Sequence, residues 1–468
     1  MNDHDRPLDD ARLRGASAFQ LLHWMAAGRL DACRLAALHA AAIGHENTRL
    51  RAFTALAPTA MAEAAASDAR RAARGAIGRL DGLTVAVKDN IDVAGLPTAL
   101  GLATRSRPAA ADAGVVARLR AAGAVILGKT ALDEGTLGSA GLGAPGGAVA
   151  HPQRDGVVAG GSSAGSAVAV AAGLCAFALG TDTLGSTRIP ASHCGVFGLR
   201  PTPGEIAMHG VVKSARRLDS VGLLARSVQD LSLVLQVLNS YDPADPRSRR
   251  RRVALAPPDW EPGRLRSGFL TDLGAVGVDA GVRAVFARAV ETLGRELGER
   301  EDIDPSPWDF TRMRRAGLLV MEAELALEFA EDLADGARGP SPRLRAMLDF
   351  ARSRSAVDYA AADRRIDRAV VLARELFSRI DVLVLPTVPH GPYAVAEGER
   401  ANDADLTAFA SLAGCPAISL PMGTLDDGLP VGLQLVGAPG SDLRLIELAG
   451  ICAARLDAAP AYPLAREA

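Results

Sequence analysis

Residues 158–203 read VAGGSSAGSAVAVAAGLCAFALGTDTLGSTRIPASHCGVFGLRPTP, and the rest of the chain is best understood outward from this segment. Two turns rich in glycine and hydroxyl residues, 160–166 and 180–187, flank a run of small apolar residues at 167–172. Two flexible turns would not need a tightly packing helix of alanine and valine between them. Each turn can instead place a serine where backbone N–H groups converge, as a nucleophile beside an oxyanion hole requires.

A serine nucleophile needs a base, and neither turn contains a histidine. A Ser–His pair is therefore not indicated locally, although distance along the sequence does not exclude one. The segment LTVAVKDN (83–90) instead places Lys88 at the end of a short apolar run that is typical of a buried strand. Burial there favours the neutral amine, which can act as a base.

Short apolar runs elsewhere predict buried strands, and amphipathic spacing predicts helices between them. The predicted strands cover 83–87, 124–127, 381–386, 417–421 and 431–437, and the predicted helices lie in 16–75, 115–123, 227–239, 280–298, 313–379 and 443–456. This alternation predicts an α/β sheet. We interpret 241–252, which is rich in Pro, Asp and Arg, as a solvated connector.

The composition is that of a globular protein, with 49% hydrophobic and 23% charged residues among 468. A net charge of −2 gives no general field that would attract nucleic acid or an anionic membrane. Residues 1–15 lack the apolar core of a secretory signal, and the apolar stretch 167–180 is too short to span a membrane. Five scattered cysteines without a C-x-x-C pair indicate free thiols. We therefore expect a cytoplasmic protein that binds neither nucleic acid nor membrane.

The segment GAVILGKT (123–130) matches the phosphate-loop pattern G-x-x-x-x-G-K-[ST] residue for residue. Such a loop needs successive backbone N–H groups that curl around phosphates. The four intervening residues here are Ala, Val, Ile and Leu, which favour a buried strand. The pattern therefore does not indicate a nucleotide site.

The histidines do not indicate a metal centre. None of the eight forms an H-x-H or H-E-x-x-H pattern, and the one His-Glu pair, His45-Glu46, is followed by Arg49 where a second histidine would stand. We expect no metal site and no cofactor.

The chain resembles the amidase-signature family, whose members use a Ser–Ser–Lys triad. The resemblance extends over most of the sequence. The matching motifs are AVKDNIDVAG (86–95), GGSSAGSA (160–167), TDTLGSTRIPASHCGVFGLRPT (181–202), DVLVLPTVP (381–389), GCPAISLP (414–421) and GLPVGLQLVG (428–437). Agreement by chance over so many motifs is negligible.

The resemblance implies an α/β fold of the amidase-signature type, in which helices cover both faces of a central mixed β-sheet. It also implies a single domain over 1–468. We expect the core of that domain at about 60–240 and 380–468, N-terminal helices at about 8–60, and a helical insertion or cap at about 245–380.

The family pattern also implies roles for individual residues. Lys88 matches the catalytic lysine, Ser162 matches a bridging serine in a cis peptide, and Ser186 matches the nucleophile. The backbone N–H groups that match the oxyanion hole belong to Thr183, Leu184, Gly185 and Ser186. The residues that fall at supporting positions are Ser163, Thr181, Asp182 and Arg188.

The implied reaction is acyl transfer. Neutral Lys88 takes a proton through Ser162 from Ser186, and Ser186 attacks the amide carbonyl. The proton then returns to the leaving amine, and water cleaves the acyl-enzyme without a metal or a cofactor.

Four positions depart from the family pattern. Leu184 stands where the family usually has glycine, so a positive φ there would be strained, and its side chain would narrow or redirect the pocket. Ala164, Ala131 and His151 replace residues that are usually Gly, Asn and Asn. These changes leave the triad intact and weaken any transfer of substrate specificity.

Three functions remain open on the sequence. The first is a stand-alone amidase that acts on a small carboxamide, with a homodimer plausible by family analogy. The second is a catalytic component, similar to the A-type chains of amidotransferases or to those of carboxybiuret hydrolases, that needs a small partner chain. The third is a binding protein that keeps the fold and has lost the chemistry.

Overall fold

The computed structural model describes residues 7–102, 104–144, 146–249, 264–334 and 339–458. Within these ranges the strands form one mixed sheet in the order β1-β3-β2-β4-β6-β5-β10-β11-β9-β7-β8. The strands are β1 Phe53–Leu56, β2 Thr84–Lys88, β3 Val125–Thr130, β4 Phe177–Asp182, β5 Phe197–Arg200, β6 Ser220–Ala225, β7 Arg266–Leu270, β8 Glu299–Ile303, β9 Val382–Pro386, β10 Ala417–Thr424 and β11 Pro430–Gly437.

Helices precede, connect and follow these strands, and polar residues begin several of them. Ser17 and Ser355 each form a capping box, in which the serine side chain and the third helical residue bond each other's backbone N–H. The α-helices are α1 Asp10–Gly15, α2 Ala18–Ala26, α3 Ala32–Leu50, α4 Ala60–Arg74, α5 Gly114–Ala121, α6 Ala164–Ala171, α7 Arg188–Cys194, α8 Val228–Leu238, α9 Ala280–Leu293, α10 Phe310–Glu328, α11 Ala330–Ala334, α12 Pro342–Arg352, α13 Ala356–Phe377, α14 Asp405–Ala413 and α15 Asp442–Arg455.

Side chains alternate between the two faces of the sheet, and both faces are covered. In β9, Val382 and Val384 join the apolar cluster that includes α8, α9 and α15, whereas Leu383 and Leu385 join the cluster that includes α10, α12 and α13. A strand buried on both faces needs a continuous apolar run, which is the pattern visible in the sequence. The predicted α/β fold with a central mixed sheet is therefore confirmed.

The two serine-containing turns lead directly into buried helices. Helix α6 starts at Ala164, immediately after Ser162 and Ser163, and α7 starts two residues after Ser186. Every residue of both helices is buried. The small side chains at 164–171 allow this because they permit close packing against β4 and α7.

The region 245–380, which we expected to be a helical insertion or cap, also contains two strands. β7 pairs parallel with β9, and β8 pairs parallel with β7, so together they extend the sheet to its edge. The sequence pattern missed β8 because four of its five residues are charged and largely solvent-accessible. Two parts of this region, 250–263 and 335–338, lie outside the described ranges. The same holds for residues 250–252 of the predicted connector and for residues 1–6 of the N-terminal segment 1–15.

The segment that matches the phosphate-loop pattern forms strand β3 rather than a loop. The ammonium group of Lys129 lies 2.9 Å from a carboxylate oxygen of Asp89 and donates to the carbonyl oxygen of Pro97 at 2.9 Å. The positive charge of Lys129 is therefore balanced and hydrogen-bonded by groups within the protein. Over the ranges that the structure describes, no helix combines the length and apolar character needed to cross a membrane.

Candidate active site

Lys88 is the last residue of β2, which lies between the parallel strands β3 and β4. Its side chain is fully buried. Nζ donates hydrogen bonds to the Ser162 hydroxyl at 2.8 Å and to the Thr181 hydroxyl at 2.9 Å. The Asn90 side-chain amide also donates to the Thr181 hydroxyl, at 3.2 Å. The sheet therefore fixes an amine between two hydroxyl groups.

Burial lowers the pKa of Lys88 to about 7, because the ammonium form loses its hydration. Asp133, Asp219 and Asp182 oppose this shift through their negative charge, and they do not overcome it. A substantial fraction of the amine is consequently neutral near pH 7. A neutral amine at this position can accept a proton.

The turn before α6 holds Ser162 and Ser163 with their backbone enclosed. The Gly161–Ser162 peptide is cis, as the family resemblance implies. A Cβ atom at Gly161 would collide with the Asp133 carboxylate, so glycine is required there. The Ser163 N–H donates to the carbonyl oxygen of Ser186 at 3.1 Å. This bond ties the turn that carries Ser162 to the turn that carries Ser186.

Ser186 lies in the turn between β4 and α7, and its side chain lines a cavity. The backbone N–H groups of this turn are not used by neighbouring carbonyl groups: among the described residues, no acceptor binds the N–H of Thr183, Leu184, Gly185 or Ser186. Neighbouring backbone N–H groups without a partner can bind a negatively charged oxygen. The arrangement is thus suited to hold an oxyanion.

Leu184 does not carry the strain that its position suggested. Its φ is not positive, whereas Gly185 has φ 138°. A Cβ atom at Gly185 would also collide with the hydroxyl of Thr407. The turn therefore needs one glycine, at 185, and position 184 accepts a side chain that lines the cavity.

Two hydrogen bonds from distant segments hold the turn 183–186. The Thr183 hydroxyl donates to the Asp219 carboxylate at 2.5 Å, and the Thr407 hydroxyl donates to the carbonyl oxygen of Leu184 at 2.6 Å. Burial raises the pKa of Asp219 to about 6, although the hydrogen bond from Thr183 and those from the Ser214 and Ala215 backbones favour the carboxylate.

Asp182 lies at the centre of a buried ionic network beneath the turn. Arg188 donates to both carboxylate oxygens of Asp182, each at 2.9 Å, and Arg200 contacts the same residue. Burial alone would raise the pKa of the Asp182 carboxyl, but the two guanidinium groups hold it well below its usual value. Arg188 also donates to the Gln434 side chain at 2.6 Å, which joins the turn to β11.

The cavity beside Ser186 has a volume of about 510 Å³. One wall is the turn that carries Ser186, and the others come from residues 136–139, α10, α12 and the segment before α14. The apolar side chains that line it are Leu137, Leu184, Ile189, Leu318, Met321 and Met347. The charged side chains that line it are Arg314, Arg343, Glu399, Arg400 and Asp403.

The structure brings together most of the residues that the sequence singled out. Lys88, Ser162 and Thr181 share direct hydrogen bonds, and Ser163 reaches Ser186 through the backbone. In the described chain no hydrogen bond joins the Lys88 side chain directly to that of Ser186. Nor does one join the hydroxyls of Ser162 and Ser186 in the described residues, so the two turns meet through the bond from the Ser163 N–H to the Ser186 carbonyl oxygen.

Sequence reasoning missed several residues that hold this site. Asn90 could have been found, because it lies in the same short motif as Lys88. Asp133, Asp219 and Thr407 carry no local signal, since each reaches the site from a distant segment. Helix α14, which presents Thr407, was itself not predicted.

The remaining departures from the family pattern lie behind the site. Ala131 accepts a hydrogen bond from the Gly165 N–H at the start of α6, at 3.0 Å. His151 is buried, and its Nε2 lies 2.7 Å from the carbonyl oxygen of His193. Neither Ala131, Ala164 nor His151 lines the cavity. Within the described residues, no group of three or more His, Cys, Asp and Glu side chains could hold a metal ion.

The model of the Amidase family matches residues 35–446. The A-type chain of the Glutamyl-tRNA(Gln) amidotransferase of Chloroflexus aggregans (strain MD-66 / DSM 9485) is 34% identical over 462 residues, which cover 91% of this chain and 93% of that protein.

Solved structures share the fold over almost the whole chain. One describes a vestigial protein complex that reveals the evolutionary origins of an s-triazine catabolic enzyme. Its TM-score is 0.86 and its sequence identity 30%, covering 95% of this chain and 99% of that one. Another is the crystal structure of an amidase, with a TM-score of 0.83 and 29% identity, covering 94% and 100%.

Proposed function

Because the chain belongs to the amidase-signature family and is an enzyme that acts on amide C–N bonds, we propose that it hydrolyses a small carboxamide through an acyl-enzyme on Ser186. The observation that carries this proposal is the contact of 2.8 Å between the buried Lys88 amine and the Ser162 hydroxyl. It supplies a base of suitable pKa beside a hydroxyl that can relay a proton.

In the first half of the reaction, neutral Lys88 accepts the proton of the Ser162 hydroxyl as Ser162 accepts the proton of Ser186. The Ser186 oxygen forms a bond to the amide carbonyl carbon, and the carbonyl π electrons move to its oxygen. The N–H groups of residues 183–186 stabilise that oxyanion, and each such donor contributes about 3–4 kcal/mol in comparable sites. The C–N bond then breaks, and the proton returns through Ser162 to the leaving nitrogen.

In the second half, water attacks the ester of Ser186. Its proton passes through Ser162 to Lys88, and the acid leaves when the Ser186 oxygen is protonated again. Side chains of this protein therefore carry every proton transfer in the reaction.

The supporting residues act through position. Thr181 shares the Lys88 amine with Ser162 and so directs its lone pair. Ser163 accepts from the Thr181 N–H and donates to the Thr181 carbonyl oxygen, which holds the Ser162 turn against β4. Asp182 and Arg188 hold the oxyanion turn from below. We also propose that 1–468 forms one domain, since a single sheet unites strands from residue 53 to residue 437.

A second candidate function is the catalytic component of a larger assembly, and the sequence relatives favour it over a stand-alone hydrolase. The A-type chains of Glutamyl-tRNA(Gln) amidotransferases from several bacteria are 34–36% identical over more than nine-tenths of this chain. In this candidate the chemistry at Ser186 is the same, and a small partner chain is required for turnover.

The test is ammonia release from simple carboxamides by the purified chain. We expect activity that is lost in Ser186→Ala and unchanged in Ser378→Ala, which removes an exposed hydroxyl at the end of α13. Equal activity in Ser186→Ala would disprove the proposed chemistry. Turnover that appears only after a partner chain is added would favour the second candidate.

A further inference from the structure

Leu184 packs against a glycine of α10, the helix that supplies another wall of the cavity. Gly317 lies on α10, and a Cβ atom there would come within 2.7 Å of Leu184 Cδ2 and within 3.1 Å of Leu412 Cδ2. Such distances are too short for carbon atoms, so the absence of a side chain at 317 makes room for the one at 184. The leucine in the oxyanion turn and the glycine in α10 are therefore a matched pair.

This contact continues into an apolar wall. Leu318 and Met321 follow Gly317 on α10, three residues apart, so they face the cavity from adjacent turns of the helix. Met347 of α12 lines the same space. Leu184 thus extends this apolar wall up to the turn 183–186. Such a wall excludes water and favours contact with apolar groups.

The charged side chains around the cavity already have partners. Arg314 forms an ion pair of 2.5 Å with Asp405, in which both side chains are mostly buried. Arg343 pairs with Glu399, and Arg400 pairs with Glu397 at 2.7 Å.

The acidic side chains that line the cavity, Asp403 and Glu399, also have hydrogen-bond partners. The Asp403 carboxylate accepts from Tyr393 at 3.0 Å and from Ser139 at 2.7 Å, and Glu399 accepts from the N–H of Ser139 at 2.7 Å. A charged substrate group would lose hydration on entering this half-buried site and would compete with these existing partners, whereas an uncharged group meets neither cost. The cavity therefore selects against charge.

We propose that the Leu184–Gly317 contact shapes an acyl pocket for an uncharged, apolar acyl group, either an alkyl chain or an aryl ring. The inference rests on the proposed function, because it places the scissile carbonyl at the N–H groups of 183–186. A cavity of about 510 Å³ has room for such a group beyond the carbonyl. Leu184 is then the residue that determines the length and bulk of the acyl group.

The experiment measures kcat/KM for four amides: hexanamide and phenylacetamide, which are uncharged, and succinamate and L-glutamine, which carry charge. We expect each uncharged amide to exceed each charged one by about tenfold or more, because the site would otherwise bury unpaired charge. The same order should hold for the inactivation rates of hexyl and 5-carboxypentyl sulfonyl fluorides, which test the pocket without amide turnover.

Variants at the pair test the role of Leu184. Gly317→Ala pushes a methyl group against Leu184, so we expect kcat/KM for phenylacetamide to fall about tenfold while that for acetamide changes about twofold. Adding Leu184→Ala to Gly317→Ala should recover part of the loss, as coupled neighbours do. Leu327→Ala, on the exposed face of the same helix, is the matched control and should leave both substrates unaffected.

The outcomes separate the two proposals. Preference for charged amides that still depends on Ser186 would overturn the apolar pocket and leave the proposed function intact. Equal losses for acetamide and phenylacetamide in Gly317→Ala would also overturn it. Turnover that persists in Ser186→Ala would instead refute the proposed function.

Discussion

The hydroxyl of Thr407 donates a hydrogen bond of 2.6 Å to the carbonyl oxygen of Leu184. Through this bond, helix α14 fixes the turn 183–186, whose residues Leu184, Gly185 and Ser186 line the cavity, from a position more than 200 residues further along the chain. The same hydroxyl lies where a side chain at Gly185 would have to be. Thr407 thus fixes the position of the turn at Leu184 and leaves no space for a side chain at Gly185.

Removal of this hydroxyl should slow the chemical step. In Thr407→Val the turn loses its anchor, and the N–H groups no longer match the developing oxyanion. We expect kcat to fall about 10- to 100-fold with little change in KM, since an interaction made in the transition state is weakened. Thr407→Ser keeps the hydroxyl and should retain most activity. A rise in KM at constant kcat would contradict this role.

Gly185 should not tolerate a side chain. Its φ of 138° is unfavourable for other residues, and a methyl group would strike Thr407. Gly185→Ala should lower both kcat and the free energy of unfolding, the latter by about 1–3 kcal/mol. Urea denaturation measures this change. Gly44→Ala is the matched control, because Gly44 lies in α3 with open space around it and alanine favours helix. Equal stability of the two variants would contradict the argument.

The activity should rise with pH through the titration of Lys88. Burial lowers its pKa to about 7, and the base is the deprotonated form, so activity is low below that pH and reaches a plateau above it. A kcat/KM profile from pH 6 to pH 9 on a stable protein measures this. A rate that falls steadily over that range would contradict a lysine base.

Glu322 should make the protein less stable as the pH rises. It is buried on α10 and forms no hydrogen bond with the residues the structure describes, and burial raises its pKa to about 7 from an ordinary value of 4.5. The folded state therefore binds more protons between these pH values, and its stability falls across that window as pH increases.

Replacement of this carboxyl should remove the effect. Glu322→Gln should raise the free energy of unfolding by about 1 kcal/mol at pH 8 and by less at pH 5. Urea denaturation at both pH values provides the measurement. Glu291→Gln, on the exposed side of α9, should change neither. The same gain at pH 5 and pH 8 would show that titration of Glu322 is not responsible.

The sequence predicts those parts of the fold in which local pattern and burial agree. β2 and β9 are continuous apolar runs that are buried on both faces, and Lys88 stands out because it ends one of them. β8 lacks such a run, since it lies at the sheet edge with charged residues in solvent. Strain at Leu184 depended on a positive φ at that residue, and the structure has the positive φ one residue later, at Gly185.

The candidate site was predictable where its residues share a motif and hidden where they do not. Ser162 and Ser186 stand in glycine-rich turns that are visible in one segment. Asp219, the residue before β6, binds the hydroxyl of Thr183, and Thr407 of α14 binds the carbonyl oxygen of Leu184. Long-range contacts of that kind leave no periodic pattern. The cavity is equally hidden, because its walls come from helices that are distant in sequence.

The most direct test of the account is covalent labelling with a fluorophosphonate, followed by intact mass and peptide mapping. We expect one adduct on Ser186 in the wild type and none in Ser186→Ala. In Lys88→Ala we expect labelling to be slower by about 100-fold or more, with the fold retained. Labelling of Ser186→Ala at the wild-type rate, or an adduct mapped to another residue, would contradict the assignment of Ser186 as the nucleophile.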